Sequence, residues 1–326
     1  YNSILAEMTD DYRVRSKAMG VRMMFSQAGM LAAAFVPLTI INRTATIKMG
    51  YAVIGCVFGL LFSVPWLIAF LGTWDHGTNV YRASTLGVEM RKLVRDFCST
   101  ARNRTFVLHM GMYLMTFLNM DIFNSVVLFF ATSGLGLNME HSRDLITIVQ
   151  GSQLLAIPVV TWAVCRFGNA RTFRGSLIIW GAGILSLAVT PCGASLGRLG
   201  VCAVLTGLGL SGAMMIPWNI QSFVADVDEL ITGERRDGLY AGVMQFVRQI
   251  AIGLGLFATN VMLELFGFSK GSEVQSVTFG QYLRVFMIVT PISLLGVAIL
   301  ISRRFLLDAA AHTVLLLSLI HISEPT

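Results

Sequence analysis

The sequence predicts an all-α protein that crosses a membrane several times, and two observations support this fold class. The first is composition, since 55% of the 326 residues are apolar, 13% are charged and the mean hydropathy is +0.70. Soluble domains carry roughly 25% charged residues, so a chain this apolar lacks the polar surface to cover itself in water. The second observation is a series of long uncharged runs whose length matches the thickness of a bilayer.

Eight segments are long enough to cross a membrane as helices. Crossing ~30 Å of hydrocarbon at about 1.5 Å per residue takes about 20 apolar residues. Six runs contain no Asp, Glu, Lys or Arg, and two more are interrupted once, by Asp121 and by Arg248. The predicted spans are 23–42, 50–71, 105–132, 145–165, 177–197, 199–225, 238–263 and 285–302. Sheets are excluded because an open sheet leaves backbone groups unpaired in lipid, and no alternating pattern of about ten residues indicates a barrel.

Basic residues are distributed unevenly over the loops between these spans. Sixteen of the 24 Lys and Arg residues fall on one side and five on the other, while Arg22, Arg248 and Arg284 lie within or at the edge of spans. By the positive-inside rule the richer side faces the cytoplasm, which predicts that both termini are cytoplasmic. The net charge of +6 therefore follows from membrane topology and does not indicate nucleic-acid binding. The expected environment of the chain is a lipid bilayer.

One long basic loop, 73–104, separates two helices from six. Leu86, Met90, Leu93, Val94 and Phe97 follow one another at helical spacings, which predicts an amphipathic helix over 85–98 on the cytoplasmic face, with a plain solvated linker as the alternative. The predicted divisions are 1–72, 73–104, 105–304 and a tail at 305–326. The last part of the tail, 311–326, resembles translated adaptor sequence and is left out of the fold interpretation.

No enzyme active site is apparent in the sequence. There is no nucleotide-binding loop, no zinc pattern and no nucleophile with a matching base. The five histidines are interpreted as scattered along loops and ends: His76, His109, His141, His312 and His321. We therefore expect no enzymatic activity and no resident cofactor, although a coupling cation, Na⁺ or H⁺, is possible.

Three stretches carry a family resemblance. The first combines Glu7-Met8-Thr9-Asp10 with Arg15 and with Arg22-Met23-Met24-Phe25. The second runs from Pro217-Trp218 through Asp226-Val227-Asp228-Glu229 to Arg235-Arg236-Asp237-Gly238. The third begins at Leu283-Arg284 and ends at Arg304-Phe305. Together they resemble the glycoside–pentoside–hexuronide:cation symporter family, the melibiose permease-like branch of the major facilitator superfamily.

The resemblance implies a major facilitator-type bundle of twelve helices, of which eight are present. The chain would begin at the end of helix IV and contain helices V and VI, a linker and the second six-helix bundle; the two-plus-six pattern of spans suggests the same truncation. It also implies a monomeric secondary transporter that moves a sugar or glycoside with a cation by alternating access. The alternatives are a transporter of lysolipids or other small amphiphiles, and a non-transporting receptor or scaffold.

Three polar or aromatic residues are candidates for binding the solute. Arg22 borders the first uncharged run and is expected about one turn into helix V, at a place where the resemblance implies a sugar-facing arginine whose planar fork can bond two hydroxyls. It could instead extend to the cytoplasmic interface. Trp218 could stack on a sugar ring or serve as a packing residue. Asn124 shares a helical face with Asp121, whereas Asn119 is expected to point elsewhere.

Asp121 and Arg248 are the candidates for ion coupling, because a charged side chain inside a bilayer is costly enough to need an explanation. The alternatives are a purely structural ion pair between helices and an Asp121 that stays protonated. Their Cα atoms are expected to differ in depth by roughly 9 Å, a gap that arginine can largely bridge if the two helices are neighbours. We therefore predict that the two side chains pair.

A cytoplasmic charge cluster is the candidate gate. Ion pairs among such residues could hold the two halves together on that side and part when the halves rock; the alternative is that they are solvated loop charges. The members are Asp226, Asp228, Arg235, Arg236 and Asp237.

Overall fold

The computed structural model of the chain describes residues 11–72, 103–232, 237–269 and 275–305. Within these ranges the backbone forms eight α-helices and no strand. They are α1 (Tyr12–Arg43), α2 (Ile47–Gly72), α3 (Arg104–Phe129), α4 (Met139–Phe167), α5 (Asn169–Val189), α6 (Leu196–Thr232), α7 (Asp237–Leu265) and α8 (Val277–Arg303). All eight contain a stretch that is long and apolar enough to cross a membrane, which confirms the predicted number of spans. The predicted amphipathic helix at 85–98 and the tail beyond residue 305 lie outside the described residues.

The helix α1 begins earlier than the hydropathy pattern predicts. Asp11 caps its N-terminus, because the Oδ1 atom accepts hydrogen bonds from the backbone N–H of Arg13 (2.7 Å) and of Val14 (3.1 Å). These bonds lower the pKa of the exposed Asp11 carboxyl. As a result, Arg22 lies about three turns into the helix, whereas the sequence had predicted about one turn.

The helix α5 is shifted relative to its predicted span at 177–197. It begins at Asn169, since charged residues such as Arg171 and Arg174 are helical although they interrupt the uncharged run. It ends at Val189, because Pro191 follows the C-cap residue Thr190 and cannot continue a helix. Charge counting therefore misplaced both ends of this helix.

Three other helix starts show the side-chain capping that their sequences favour. Asn103 accepts from the N–H of Phe106 at the start of α3, Asn138 from that of His141 at α4, and Ser276 from that of Phe279 at α8. The α3 helix continues as one π-helical turn, Phe130–Gly134.

Arg284 of α8 binds the carbonyl ends of two other helices. Its Nε and Nη2 atoms donate to the carbonyl oxygen of Gly134 (3.1 and 2.8 Å), and Nη1 donates to those of Ala188 (3.3 Å) and Thr190 (2.8 Å). A cation is favourable at helix C-termini, where carbonyl groups lack partners. Arg284 thus has a structural role, and we call this arrangement the Arg284 staple.

The chain divides into two compact units. The larger consists of Tyr1–Met24 with Val94–Thr326, and its described part contains the start of α1 together with α3–α8. Its core is rich in aromatic residues, including Tyr113, Phe117, Phe123 and Trp180, all at most 2% exposed. The buried positions of α1 in this unit recur every three or four residues: Tyr12, Arg15, Ser16, Met19, Gly20 and Met23.

The smaller unit, Phe25–Leu93, contains the rest of α1 and α2 in its described part. The two helices meet closely at one point, since a Cβ atom at Gly50 would lie 2.8 Å from Thr44 Oγ1 and 3.2 Å from Ile41 Cα. Gly50 is the buried residue of α2, and most other side chains of this helix are exposed. Exposed apolar side chains on a membrane-spanning helix are suited to contact with lipid.

Candidate functional site

Asp121 of α3 and Arg248 of α7 form a bidentate ion pair. Arg248 Nη2 lies 2.8 Å from Asp121 Oδ1, and Arg248 Nη1 contacts Asp121 Oδ2. The side chains are 15% and 16% exposed, so the pair is largely shielded. The predicted pairing is therefore confirmed. Each charge compensates the other, which relieves the cost of placing either one alone in the membrane.

A glycine allows the two helices to approach each other at this pair. Gly255 follows Arg248 by two turns on α7, and a Cβ atom there would lie 3.0 Å from Asp121 Cβ. Glycine thus brings the α7 backbone against the carboxylate-bearing residue. On α3, the hydroxyl of Ser125 donates to the backbone carbonyl of Asp121 (2.8 Å) and so does not compete with Arg248 for the carboxylate.

Aromatic rings connect this ion pair to Trp218 and Arg22. The guanidinium carbon of Arg248 lies 5.0 Å from the centroid of the Phe117 ring, and Phe117 contacts Tyr113 at 4.4 Å between centroids. Trp218 stands edge-on to both rings, at 5.7 Å from Tyr113 and 6.4 Å from Phe117. Arg22 of α1 lies over Trp218, at 5.9 Å from the ring centroid. We call this set the charged aromatic cluster: Arg22, Trp218, Tyr113, Phe117, Arg248 and Asp121.

Trp218 is positioned by its neighbour Pro217 and by His109 of α3. His109 is fully buried, and its Nε2 lies 2.8 Å from the Pro217 carbonyl oxygen. A carbonyl oxygen only accepts, so Nε2 carries the proton. This bond joins α3 to α6 next to the tryptophan. The interpretation of His109 as a loop or chain-end residue was wrong, because α3 begins five residues before it.

A second ion pair joins α1 to α6 at the end where the basic residues concentrate. Arg15 Nη1 donates to Asp226 Oδ2 (2.7 Å) and to the carbonyl oxygen of Ser222 (2.9 Å). The Arg15 guanidinium also lies over the ring of Phe223, 5.2 Å from its centroid. The side chains of Arg15 and Asp226 are 0% and 4% exposed.

The next residue of α1 continues this contact. Asn219 Nδ2 lies 3.1 Å from Ser16 Oγ and donates to Asn169 Oδ1 at 2.8 Å, so α1, α5 and α6 meet at one buried amide. We call the set Arg15, Ser16, Asn219 and Asp226 the α1–α6 clasp. Of the predicted gate residues, Asp226 belongs to the clasp, while the side chains of Asp228, Arg235, Arg236 and Asp237 lie outside the described residues.

The helix α1 also approaches α4 closely beside the clasp. A Cβ atom at Gly20 would lie 2.3 Å from Thr161 Oγ1 and 3.1 Å from its methyl carbon. Only glycine fits without displacing Thr161, whose hydroxyl donates to the carbonyl of Ile157 (2.8 Å). The start of α1 is therefore held by polar contacts to α6 and by steric fit to α4.

The two asparagines of α3 differ in burial. Asn124 is exposed and takes no part in the charged aromatic cluster. Asn119 is fully buried, and its side-chain oxygen and nitrogen have no hydrogen-bond partner among the described residues. Spacing correctly separates the faces of these two residues, but it does not reveal which face lies inside the bundle.

Several site residues were not identified from the sequence. Arg15 belongs to the family motif but was not predicted as a site residue, and Tyr113 and Phe117 have no signal that separates them from other core aromatics. A cue for Arg15 was available in its three- to four-residue spacing from Tyr12 and Met19 on an otherwise polar segment. Within the described ranges, no group of three or more His, Cys, Asp or Glu residues could hold a metal ion.

Comparison with known proteins places the chain among transporters. A family model described as MFS/sugar transport protein matches residues 1–309. An uncharacterized symporter of Synechocystis sp. is 34% identical over 197 residues, covering 60% of this chain and 36% of that protein. The sodium-dependent lysophosphatidylcholine symporter 1-A of Danio rerio is 22% identical over 263 residues, covering 80% of this chain and 48% of that protein.

A solved structure is similar along most of the chain. The fucose:proton symporter of E. coli matches with a TM-score of 0.64 at 12% identity, covering 94% of this chain and 72% of that one. At this identity the likeness shows the fold alone. The chain spans between about a third and a half of the length of the two curated relatives.

Proposed function

This chain belongs to the MFS/sugar transport protein family, and we propose that the complete protein is a secondary transporter that couples the movement of a sugar or glycoside to a cation. Family membership confirms the predicted fold class, an all-α major facilitator-type membrane bundle. The observation that carries the proposed function is the charged aromatic cluster, because it brings a shielded carboxylate, two arginines and a tryptophan into one set of contacts.

Asp121 and Arg248 are suited to couple a cation to the solute. In the observed pair the guanidinium occupies both carboxylate oxygens, so a proton or Na⁺ that binds Asp121 must displace it at least in part. The displaced Arg248 then needs new acceptors, which solute hydroxyl groups can supply. Binding of cation and solute would therefore favour each other, and this mutual dependence is the thermodynamic requirement for symport.

Arg22 and Trp218 are suited to hold a sugar. A guanidinium can donate to two adjacent hydroxyls, and the face of an indole ring matches the apolar C–H face of a pyranose. In the structure Arg22 itself lies over the Trp218 ring. A sugar that stacks on this ring would take the place of the guanidinium, which would then be positioned beside its hydroxyls.

The α1–α6 clasp is suited to act as the cytoplasmic gate. The loop charges support an orientation in which both ends of the chain, and the start of α1, face the cytoplasm. The buried Arg15–Asp226 pair would hold α1 to α6 on that side. Opening would let water reach both charges, which lowers the cost of separating them. We expect a monomer, because residues within one chain supply the cluster and the clasp.

Uptake by the full-length protein in vesicles tests this function. A panel of sugars is assayed with imposed Na⁺ or H⁺ gradients, in the wild type and in the Asp121→Asn variant. We expect gradient-driven accumulation in the wild type, and in the variant solute exchange without accumulation. Arg198→Gln, an exposed arginine outside the cluster, is the control. Accumulation that survives in Asp121→Asn would rule out Asp121 as the coupling residue.

Transport of a small amphiphile is a second candidate function. It is favoured by the similarity to the lysophosphatidylcholine symporter, which covers 80% of this chain. The aromatic part of the cluster offers apolar surface for an acyl chain, and an arginine suits a phosphate as well as a sugar. Including lysophosphatidylcholine in the uptake panel separates the two candidates. Competition for sugar uptake would indicate a shared site.

A further inference from the structure

An apolar groove opens on the outer face of the larger unit, between α4 and α5. These helices are joined by the single residue Gly168, which has a φ of 83°, but they otherwise contact each other sparsely because both pack against α6. The cavity measures about 450 Å³, and Leu208 of α6 contributes to its lining. Side chains near its rim, such as Val159 at 62% exposed, face the surroundings of the bundle.

The groove has the length of one leaflet of a bilayer. On α4 its lining runs from Ala156 to Phe167, which corresponds to about 16 Å along the helix axis and about half of the ~30 Å hydrocarbon core. It ends where α4 ends and α5 begins, at the basic end of both helices. The proposed topology places this end at the cytoplasmic surface.

Positive charge lies at the end of the groove that would meet the lipid headgroups. Arg171 lines it, is exposed, and makes no hydrogen bond or ion pair with the described residues. Arg166 is also exposed there, and no acidic residue occurs between positions 145 and 189. The exposed rings of Trp162 and Phe167 pack edge to face at 5.8 Å, as is typical of aromatic residues at a membrane interface.

We propose that this groove binds an anionic glycerophospholipid of the cytoplasmic leaflet, with one acyl chain along α4 and α5 and the phosphate at Arg171. The apolar walls favour a hydrocarbon chain over water. An unpaired guanidinium at headgroup depth favours an anionic headgroup over a zwitterionic one. The proposal does not depend on which solute the protein transports.

Gly175 provides a way to close the groove without disturbing the protein. It lines the cavity one turn after Arg171, and a Cβ atom built on it meets no other atom within 4 Å. A leucine at this position would extend into the space that the acyl chain is proposed to fill. Gly253 on α7 also has open space around it and lies outside the groove, so Gly253→Leu is a matched control.

Lipid retention by the purified full-length protein tests the proposal. The protein in dodecyl maltoside is titrated with dioleoyl-phosphatidylglycerol or dioleoyl-phosphatidylcholine, and bound lipid is counted by native mass spectrometry alongside the apparent Tm. We expect preferential retention of phosphatidylglycerol. Losing a charge-assisted hydrogen bond should lower the affinity of Arg171→Gln for it by about tenfold or more. Gly175→Leu should lose the retained lipid, whereas Arg198→Gln and Gly253→Leu should match the wild type.

Three results would overturn the proposal: equal retention of the two lipids by the wild type, unchanged phosphatidylglycerol affinity in Arg171→Gln, or full retention by Gly175→Leu. The Tm without added lipid identifies variants that are unstable for other reasons. Arg171→Lys keeps the charge, so it should retain more phosphatidylglycerol than Arg171→Gln. If Gly175→Leu proves unstable, the two Arg171 variants decide the outcome.

Discussion

The two arginine–carboxylate pairs of this protein differ in their surroundings. The side chains of the pair Asp121–Arg248 are about one-sixth exposed, and the guanidinium contacts both oxygens of the carboxylate. The pair Arg15–Asp226 is almost completely buried, and its arginine divides its bonds between a carboxylate and the Ser222 carbonyl. In the partly exposed pair, an ion or a solute can replace one of the two charged partners. In the buried pair, the two side chains must separate completely before either charge becomes accessible. The first is therefore suited to binding and the second to gating.

The largest expected effect comes from breaking the buried pair. Arg15→Leu leaves the Asp226 carboxylate buried without its cation, which should lower the free energy of unfolding by about 3–5 kcal/mol. Thermal unfolding in detergent measures the loss. Arg13→Leu, an exposed arginine in the same turn, is the control. The double variant Arg15→Met/Asp226→Leu should recover most of the stability, and a double variant as unstable as Arg15→Leu would contradict the pairing argument.

Removing one member of the open pair should cost less stability. For Asp121→Asn or Arg248→Gln we expect a loss of about 1–3 kcal/mol, since water can partly solvate the remaining charge. The double variant should be more stable than the sum of the single effects predicts, with a coupling of about 0.5–3 kcal/mol. Unfolding of all four proteins in the cycle measures it. Additive effects would show that the two residues do not stabilise each other.

A steric change beside the clasp should alter its opening without touching either charge. Gly20→Ala places a methyl group against the Thr161 side chain, so the contact between α1 and α4 must shift. We expect faster alkylation of a cysteine introduced at Ser16. Thr161→Ala in the same protein should reverse most of the increase. Gly29→Ala in the same helix meets no atom within 4 Å and should have no effect. An equal increase in both glycine variants would indicate general loosening of α1.

The smallest expected change in stability is that of Arg22→Lys. Lysine keeps the charge but loses the planar fork, so solute affinity should fall by about tenfold with the Tm nearly unchanged. Measuring KM and kcat separately in uptake assays distinguishes weaker binding, which raises KM, from slower turnover, which lowers kcat. Arg13→Lys serves as the matched exposed substitution. If affinity and Tm are both unchanged, Arg22 does not contact the solute.

The parts of the structure that follow from energetic necessity could be predicted from the sequence. Eight apolar spans were expected because the bilayer sets a minimum length, and the pairing of Asp121 with Arg248 was expected because unpaired charges are costly there. Helix ends were predicted incorrectly, since α1 and α5 both extend through charged residues that hydropathy excludes. Polar helix ends can protrude beyond the hydrocarbon, so charge alone does not end a helix.

The three-dimensional arrangement of side chains could not be deduced in the same way. Asn119 and Asn124 were correctly placed on different faces of α3, but the buried one is Asn119. Its position depends on which helices surround α3, and periodicity within one helix contains no information about its neighbours. The bond of His109 to the Pro217 carbonyl has the same origin, since it joins residues 108 positions apart.

The Arg284 staple has a consequence for measuring motion. One guanidinium binds the ends of the π-helical turn and of α5, and it is itself carried by α8. Three helices are thus fixed to one another at the end of the molecule away from the clasp. Spin labels at Leu137 and Ala194, which flank the staple, should give the same narrow distance distribution with and without solute. The constant distance between these two labels would serve as an internal reference for measuring displacements elsewhere in the protein.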